Sequence, residues 1–283
     1  MKPSILLNSI GILLIFLFVS SCGRAPSRLL RQGQSPVYDF PLYLSEGFNG
    51  RVLKFDRDIN QEVLISGLDN PLGIATDRAN NLYVVEEGNN RVLKVDVSDG
   101  SFEVVADNLD NPSVVAVDSF GEVYVIQQGT SRNILRLSDR SVIKSYEDPL
   151  LPTALAFGVE DIMIVGVDDT SSNDDFVEWV KSGSRVTVNT PTNISTDSTG
   201  RVYVSENLLN NSNVFRYHQK QGSGKTTIAE SLSAPSGIAV DPVGNLYVIE
   251  QGAARVVLID ITGNKFVFID GSIDPQYLAF TQY

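Results

Sequence analysis

The sequence predicts an all-β fold, a six-bladed β-propeller of four-stranded antiparallel blades. Three observations carry this prediction. Short runs of strand-forming residues alternate with turn clusters, a proline recurs about every 40 residues, and a small residue follows each proline at a fixed distance. Helical periodicity is not convincing in any part of the chain. With 42% apolar residues, the 283-residue chain can build one large core, so we expect a single propeller domain.

One unit of the repeat runs from Pro71 to Asp96 and contains three predicted strands. They are Leu72–Thr76, Leu82–Val85 and Val92–Val95, and turn clusters separate them. A fourth strand is predicted at Phe102–Ala106. A four-stranded sheet of this size, apolar on both faces, is not stable alone in water, so copies must stack on one another.

The array becomes visible when the prolines of successive units are aligned. Their spacings are 41, 40, 39, 44 and 40 residues, between Pro71, Pro112, Pro152, Pro191, Pro235 and Pro275. Four residues after each proline stands a small residue, in the order Ala75, Ala116, Ala156, Ser195, Ala239 and Ala279. Six first strands crowding round one axis leave little room there, so a larger side chain would cost roughly 1 to 3 kcal/mol by overpacking.

The repeats share a sequence pattern, which is clearest in PSGIAVDPVGNLYVIEQGAARVVLID at Pro235–Asp260 and in the unit at Pro71–Asp96. This pattern resembles the NHL repeat. The resemblance covers nearly all of the chain from Val37 onward and is weakest in the unit that begins at Pro152. NHL-like propellers include binding modules, sensor domains and a few enzymes, so the resemblance implies the fold and leaves the activity open.

The N-terminal segment Met1–Ser21 is typical of a lipoprotein signal peptide. Its apolar run, Gly11–Val19, is shorter than the about 20 residues that span a bilayer of about 30 Å, so we expect an export signal. Cys22 is the only cysteine in the sequence and cannot form an internal disulfide. The residues Val-Ser-Ser-Cys at this point resemble a bacterial lipobox, which implies that Cys22 is acylated and anchors the protein in the membrane.

A predicted flexible tether, Gly23–Pro36, follows the anchor and carries Gly, Pro, Ser and Gln without a strand pattern. Residue 23, directly after the cysteine, is glycine and not aspartate. By resemblance to the sorting pattern of enterobacterial lipoproteins, this favours the outer membrane. We therefore expect a lipid-anchored protein of the bacterial cell envelope, on the periplasmic side or at the cell surface.

The propeller is predicted to occupy residues 37–283 and to close with strands from both ends. Val37–Leu44, Arg51–Phe55 and Glu62–Ile65 match the second, third and fourth strands of a blade whose first strand is missing. Pro275–Tyr283 has the register of a first strand with nothing after it. Pairing these segments completes the sixth blade and removes open sheet edges.

The charge of the chain is strongly acidic. The formal net charge is −12, signal cleavage would remove Lys2 to give −13, and the three arginines of the tether leave the propeller near −16. Such a surface repels phosphate backbones, which argues against nucleic acid as a partner.

Recognisable catalytic motifs are scarce. The single histidine, His218, stands at the end of a third strand, so no histidine cluster for zinc can form. The segment Gln221–Thr227 resembles the end of the phosphate-binding motif GxxxxGK[ST], but the first glycine of that motif is missing. We predict that this segment is a hairpin loop. Asp168–Asp175 is the densest acidic loop. Its oxygens would suit Ca²⁺ or another divalent cation, although the spacing differs from an EF-hand and a solvated loop is the alternative.

Antiparallel connectivity places several irregular segments on one rim of the propeller. The acidic loop shares that face with the long loop Asn207–Asn213 of the next blade. The candidate ligand-binding residues on this rim are Asp168, Asp169, Asp174, Asp175, Asn193, Glu206 and Tyr277.

Glu206 differs from the acids at the same position of other blades. Three of those acids precede an arginine by five residues, in the pairs Glu46 and Arg51, Glu86 and Arg91, and Glu250 and Arg255. The pairs are most simply hairpin braces, worth about 0 to 1 kcal/mol each if exposed. Glu206 faces Asn213 instead, so its own blade is expected to leave it unneutralised. We hypothesise that it binds a cation or a cationic group of a partner, the alternative being that it points into water.

Two functions follow from these features. The first is a lipid-anchored envelope propeller that binds a protein, peptide or glycan through one rim. The second is a metal-dependent lactonase-like or lyase-like enzyme, which resembles other six-bladed propellers that hold a divalent cation near the central channel. Convergence of at least three carboxylate or amide groups at the channel mouth would favour the enzyme.

Overall fold

The computed structural model describes residues 41–56, 58–208, 212–218, 224–271 and 274–280. Within these ranges the chain forms 24 strands in six four-stranded antiparallel sheets, which confirms the predicted propeller. The predicted signal peptide, Cys22 and the tether lie outside the described residues. In the part that is described, no helix is long and apolar enough to cross a membrane.

The strands follow one another in the order expected from the repeat. The first twelve are β1 (Leu42–Glu46), β2 (Arg51–Phe55), β3 (Gln61–Ser66), β4 (Pro71–Thr76), β5 (Asn81–Glu86), β6 (Arg91–Asp96), β7 (Phe102–Ala106), β8 (Pro112–Val117), β9 (Val123–Gln127), β10 (Asn133–Arg136), β11 (Val142–Ser145) and β12 (Leu150–Phe157). The others are β13 (Met163–Asp169), β14 (Phe176–Trp179), β15 (Ser184–Thr187), β16 (Pro191–Thr196), β17 (Arg201–Glu206), β18 (Ser212–His218), β19 (Thr226–Leu232), β20 (Pro235–Val240), β21 (Leu246–Glu250), β22 (Arg255–Ile259), β23 (Lys265–Asp270) and β24 (Pro275–Phe280). Short 3₁₀ turns occur at Glu87–Asn89, Val159–Asp161 and Gln251–Ala253.

Each blade uses four of these strands. Blade 1 has the order β24-β1-β2-β3, and blades 2 to 6 take the remaining strands four at a time in chain order. The predicted strands of blade 2 agree with β4 to β7 to within one residue at each end. The inner strands are largely buried because they lie between neighbouring blades, whereas the outermost strand β7 exposes four of its five residues.

The ring closes as predicted, because the C-terminal strand β24 pairs with β1. Leu42 is opposite Phe280, and Leu44 is opposite Leu278. Ser45 links three strands at this closure. Its Oγ donates to Leu72 O on β4 at 2.7 Å and accepts the backbone N–H of Tyr277 at 3.1 Å. The closure therefore pairs the inner edge of β1 and makes β24 the inner strand of blade 1, equivalent to the first strands of the other blades.

Among the described residues, the hydrophobic core forms six clusters, each between adjacent blades. In the cluster between blades 4 and 5, for example, Trp179 packs with Val202 and Tyr217. Threonine hydroxyls on the first strands add ties around the axis. Thr76 Oγ1 donates to the carbonyl of Phe280 on the neighbouring first strand at 2.5 Å. Packing and these ties together fix the positions of the first strands that surround the axis.

Candidate functional site

A cavity of about 410 Å³ lies on the propeller axis and is lined by the six first strands. The small residue of every repeat borders it, in the order Ala75, Ala116, Ala156, Ser195, Ala239 and Ala279, and we call this set the small ring. The prediction that these residues surround one axis is confirmed. The expectation that little room remains at this level is corrected, because the small ring borders an open cavity.

The wall of the cavity on either side of the small ring is mostly apolar. One residue before the ring stand Ile74, Val115, Leu155, Ile194, Ile238 and Leu278. One residue after it stand Thr76, Val117, Phe157, Thr196, Val240 and Phe280. The mouth is formed by turns between first and second strands, and its residues include Arg78, Ser119, Asp161, Ser198 and Pro242.

The opposite end of the cavity is lined by Val114, Asn193 and Tyr277, and we call it the closed end because Tyr277 lies across it. Tyr277 packs against the cluster between blades 1 and 2 and also against the cluster between blades 3 and 4. Because these clusters lie in different parts of the ring, the Tyr277 side chain crosses the axis. Tyr277 therefore narrows the cavity at this end, opposite the mouth.

Two polar side chains at the closed end have no protein partner among the described residues. Asn193 is only 7% exposed; its backbone carbonyl accepts a hydrogen bond from the Ser205 hydroxyl, and its carboxamide makes none with the described residues. Tyr277 donates its backbone N–H to Ser45 Oγ, and its hydroxyl makes no hydrogen bond with the described residues. Burial raises the pKa of the Tyr277 hydroxyl, so this group stays a neutral donor and acceptor near neutral pH. Asn193 is buried and Tyr277 is half-buried, and polar groups enclosed in this way call for a hydrogen-bonding partner.

The carboxylates around the mouth are already engaged in the local structure. Asp197 Oδ1 accepts the N–H groups of Thr199 and Arg201 at 2.9 and 3.0 Å, which fixes the turn after β16. Asp241 holds the corresponding turn of blade 6 in the same way. Asp161 accepts two hydrogen bonds from the serine of the neighbouring turn. These acids shape the mouth, and their oxygens do not converge on a common point.

The predicted acidic rim lies outside this cavity, and most of its acids have structural roles. Asp175, 5% exposed, accepts the N–H groups of Asp169 and Thr190 at 2.9 and 2.7 Å. Asp169 caps its own turn by accepting from Ser171. Burial, followed by the charge of Asp175, raises the pKa of Asp168. Asp174 is exposed, and its backbone N–H donates to a serine hydroxyl in the loop.

Glu206 is buried and neutralised, which corrects two expectations. It is 1% exposed, so it does not point into water. The prediction that its own blade leaves it unneutralised is wrong, because Lys225 Nζ lies 3.6 Å from Glu206 Oε1. Lys225 belongs to the connection between β18 and β19, where the sequence predicted only a hairpin loop. Glu206 does face Asn213 across the hairpin, as predicted.

The other glutamates of this column form the predicted pairs with arginine, but they are not exposed. Glu46, Glu86 and Glu250 are each 1% exposed and each contacts the arginine five residues later. Burial would raise the pKa of Glu86 and Glu250, yet hydrogen bonds from the paired arginine and from backbone N–H groups hold both values below normal. The energy expected for exposed pairs therefore underestimates them.

The structure thus divides the predicted site residues into two groups. Asp175 and Glu206 meet around one connection, because Thr190 N–H donates to Asp175 and Asn189 Nδ2 donates to Glu206 Oε2 at 3.4 Å. Asn193 and Tyr277 lie in the axial cavity instead. Within the described ranges, no group of three His, Cys, Asp or Glu side chains could hold a metal ion.

Comparison with known proteins supports the fold. No protein-family model matches the chain, and no curated protein matches it. A chain of the nidogen/laminin complex is similar with a TM-score of 0.72 at 10% identity, over 86% of this chain and 98% of that chain. The gluconolactonase of Xanthomonas campestris has a TM-score of 0.64 at 16% identity, over 90% of this chain and 91% of that chain. For a streptogramin B lyase the values are 0.61 and 14%, over 89% of both chains. At these identities the similarity shows a shared propeller fold.

Proposed function

We propose that this chain is a binding module of the cell envelope that takes a side chain or sugar unit of a protein, peptide or glycan partner into the axial cavity. The observation that carries the proposal is that the buried Asn193 carboxamide, which lines the closed end of this cavity, has no partner among the described residues. A volume of about 410 Å³ lies within the usual range for ligand sites.

The surface beside the mouth favours a macromolecular partner. Phe120 is 82% exposed and follows the mouth residue Ser119, while Val243 is 52% exposed and follows Pro242. These apolar side chains belong to turns of blades 3 and 6, on opposite sides of the ring. Apolar groups exposed around a cavity are typical of contact surfaces, so a partner that fills the cavity can also cover them.

The alternative function, a metal-dependent lactonase or lyase, has less support from the residues around the axis. Two of the similar structures are a gluconolactonase and a streptogramin B lyase, but their identity to this chain is 16% and 14%. Metal-assisted hydrolysis needs oxygen ligands that converge on one point. In this chain Asp197 and Asp241 instead accept the N–H groups of their own turns.

The cavity can be tested by closing its mouth. Ser198 lies at the mouth and is exposed, so Ser198→Trp should block entry without disturbing the core. The matched control is Ser66→Trp, at an exposed position on the outermost strand of blade 1. With the full chain as bait in detergent-solubilised envelope extract, we expect Ser198→Trp to lose at least nine tenths of the captured partner and the control to lose none. Equal capture by both variants would refute the cavity as the binding site.

The membrane anchor is a separate part of the proposal and rests on the lipobox at Cys22. Cys22→Ser removes the thiol that would be acylated, so the variant should leave the detergent phase and remain uncleaved or soluble. Continued partitioning of Cys22→Ser into detergent would contradict the anchor without affecting the proposed cavity.

A further inference from the structure

The residues at the closed end of the axial cavity restrict the chemistry of the ligand group that can bind there. This inference rests on the proposed function. Its lining consists of the apolar Val114 and the neutral polar residues Asn193 and Tyr277. The charged residues that line the cavity, among them Arg78 and Asp161, lie at the mouth. A ligand group at the closed end therefore meets no opposite charge.

Charge is the first restriction on the ligand. Transfer of a carboxylate or an ammonium group from water into such a site is costly unless a counter-charge accompanies it. Burial raises the pKa of the Tyr277 hydroxyl, so this group also carries no charge near neutral pH. The buried part of the ligand must therefore be neutral.

Hydrogen bonding is the second restriction. The Asn193 carboxamide offers both a donor and an acceptor, and the Tyr277 hydroxyl can serve as either. If a purely apolar group covered them, each would remain buried without a partner, at a cost of roughly 1 to 3 kcal/mol for each group. The ligand group must therefore present at least one donor and one acceptor.

The apolar wall gives the third restriction. Val114 at the closed end and Ile194 and Leu278 one residue further along the axis surround the polar pair with aliphatic groups. A hydroxyl group alone satisfies the polar pair but leaves this aliphatic surface without contact. A secondary amide with a methyl group satisfies both, because it places a donor and an acceptor on separate atoms next to a methyl.

We propose that the closed end recognises an acetamido group, whose N–H and C=O pair with Asn193 and Tyr277 and whose methyl packs against the aliphatic wall. This group has two sources, an N-acetylhexosamine unit of a glycan and an acetylated lysine of a peptide. The acetamido chemistry is the same in both, so a comparison of glycan and peptide probes is needed to distinguish the two sources.

The experiment measures the affinity of the full chain for defined probes by calorimetry. The probes are a trimer of N-acetylglucosamine, its de-N-acetylated counterpart, a glucose trimer, and a short peptide with either acetylated or unmodified lysine. We expect one of the two acetylated probes to bind at least tenfold more tightly than its unacetylated counterpart. Binding of the N-acetylglucosamine trimer would identify a glycan as the source of the acetamido group, and binding of the acetylated peptide would identify an acetylated lysine.

Two variants separate recognition from a structural role. Asn193→Leu and Tyr277→Phe remove the polar atoms with little change of shape, so each should weaken binding of the acetylated probe at least tenfold. Neither should lower the melting temperature, because each removes a buried polar group without a protein partner. A loss of thermal stability with unchanged affinity would show that these residues serve only the fold and would overturn the inference.

Three further outcomes would contradict the acetamido assignment, and one of them would also contradict the cavity proposal. If the unacetylated or glucose probes bind as tightly as the acetylated ones, the acetamido assignment is wrong. If no probe binds while Ser198→Trp still abolishes partner capture, the acetamido assignment fails and the cavity proposal stands. If no probe binds and Ser198→Trp captures the partner normally, both fail.

Discussion

The ammonium group of Lys225 lies 3.6 Å from Glu206 Oε1 and 3.6 Å from the centre of the Phe215 ring. Lys225 thus supplies the positive charge that an arginine supplies in three other blades. Blade 3 has the neutral pair Gln127 and Asn133 at this hairpin, joined at 2.9 Å. Blade 5 has a glutamate, Glu206, as in the Glu–Arg pairs, and opposite it an asparagine, Asn213, as in blade 3. Lys225 balances the charge of this glutamate.

Removal of Lys225 should leave a buried, uncompensated carboxylate. We expect Lys225→Met to lower the free energy of unfolding by about 1 to 3 kcal/mol, measured by urea denaturation. Lys181→Met, at an exposed turn, is the matched control and should change it by less than about 0.5 kcal/mol.

A double variant tests whether the charge of Glu206 causes this loss. Glu206→Gln makes the pair of blade 5 resemble the neutral pair of blade 3, so Glu206→Gln combined with Lys225→Met should recover most of the lost stability. Strictly additive losses in the double-mutant cycle would show that Lys225 stabilises through packing on Phe215 instead of through charge.

Asp175 and Asp174 allow a sharp comparison within the acidic loop. Asp175 is buried and accepts two backbone N–H groups, so Asp175→Ala should cost about 1 to 3 kcal/mol of unfolding free energy. Asp174 is exposed, so Asp174→Ala should be nearly neutral. Thermal denaturation with and without Ca²⁺ provides the measurement. A Ca²⁺-dependent rise in melting temperature that both variants abolish would show instead that the loop is a cation site.

The pH dependence of stability should report on the buried glutamates. Burial opposes ionisation of Glu86, but hydrogen bonds from Arg91, Asp69 and Asn89 outweigh it and hold its pKa below 4.5. A depressed folded-state pKa contributes stability above the unfolded-state value, and this contribution is lost as the pH falls through the folded-state value. We therefore expect Glu86→Gln to be less stable than the native chain at pH 7, with the gap narrowing below about pH 4.5. A gap that stays constant from pH 7 to pH 3 would contradict an ionised, hydrogen-bonded Glu86.

The repeat made most of the fold predictable, because each blade repeats the same local signals. The small ring and the closing strand followed from register alone, and both appear in the structure. Lys225 was missed because register across one hairpin shows only the residue directly opposite, which for Glu206 is Asn213. Lys265 makes the same kind of contact with Glu250 from the start of a fourth strand, and comparing fourth strands could have indicated Lys225.

The placement of Asn193 and Tyr277 shows the limit of sequence-based reasoning about the site. Both were identified as candidates because they stand near the start of first strands, on the rim side. Register shifts occur just there, between Pro191 and Asn193 and between Leu44 and Glu46, where β1 pairs with β24. The sequence pattern gives no signal for these irregularities or for the reach of a tyrosine across the axis, so the closed cavity required the three-dimensional structure.

Deletion of the closing strand tests the architecture directly. Removing residues 275–283 takes Leu278 and Phe280 out of a core cluster and leaves the inner edge of β1 unpaired. We expect the truncated chain to aggregate or to lose cooperative unfolding, since an open inner edge invites pairing with other chains. Removing only residues 281–283 preserves β24 and should leave the melting transition and the monomeric state unchanged, which size-exclusion chromatography and calorimetry can verify. If the longer deletion still gives a monomer that melts cooperatively near the native temperature, then β24 does not hold the ring closed, and the five complete blades together with β1 to β3 must be stable as an open array.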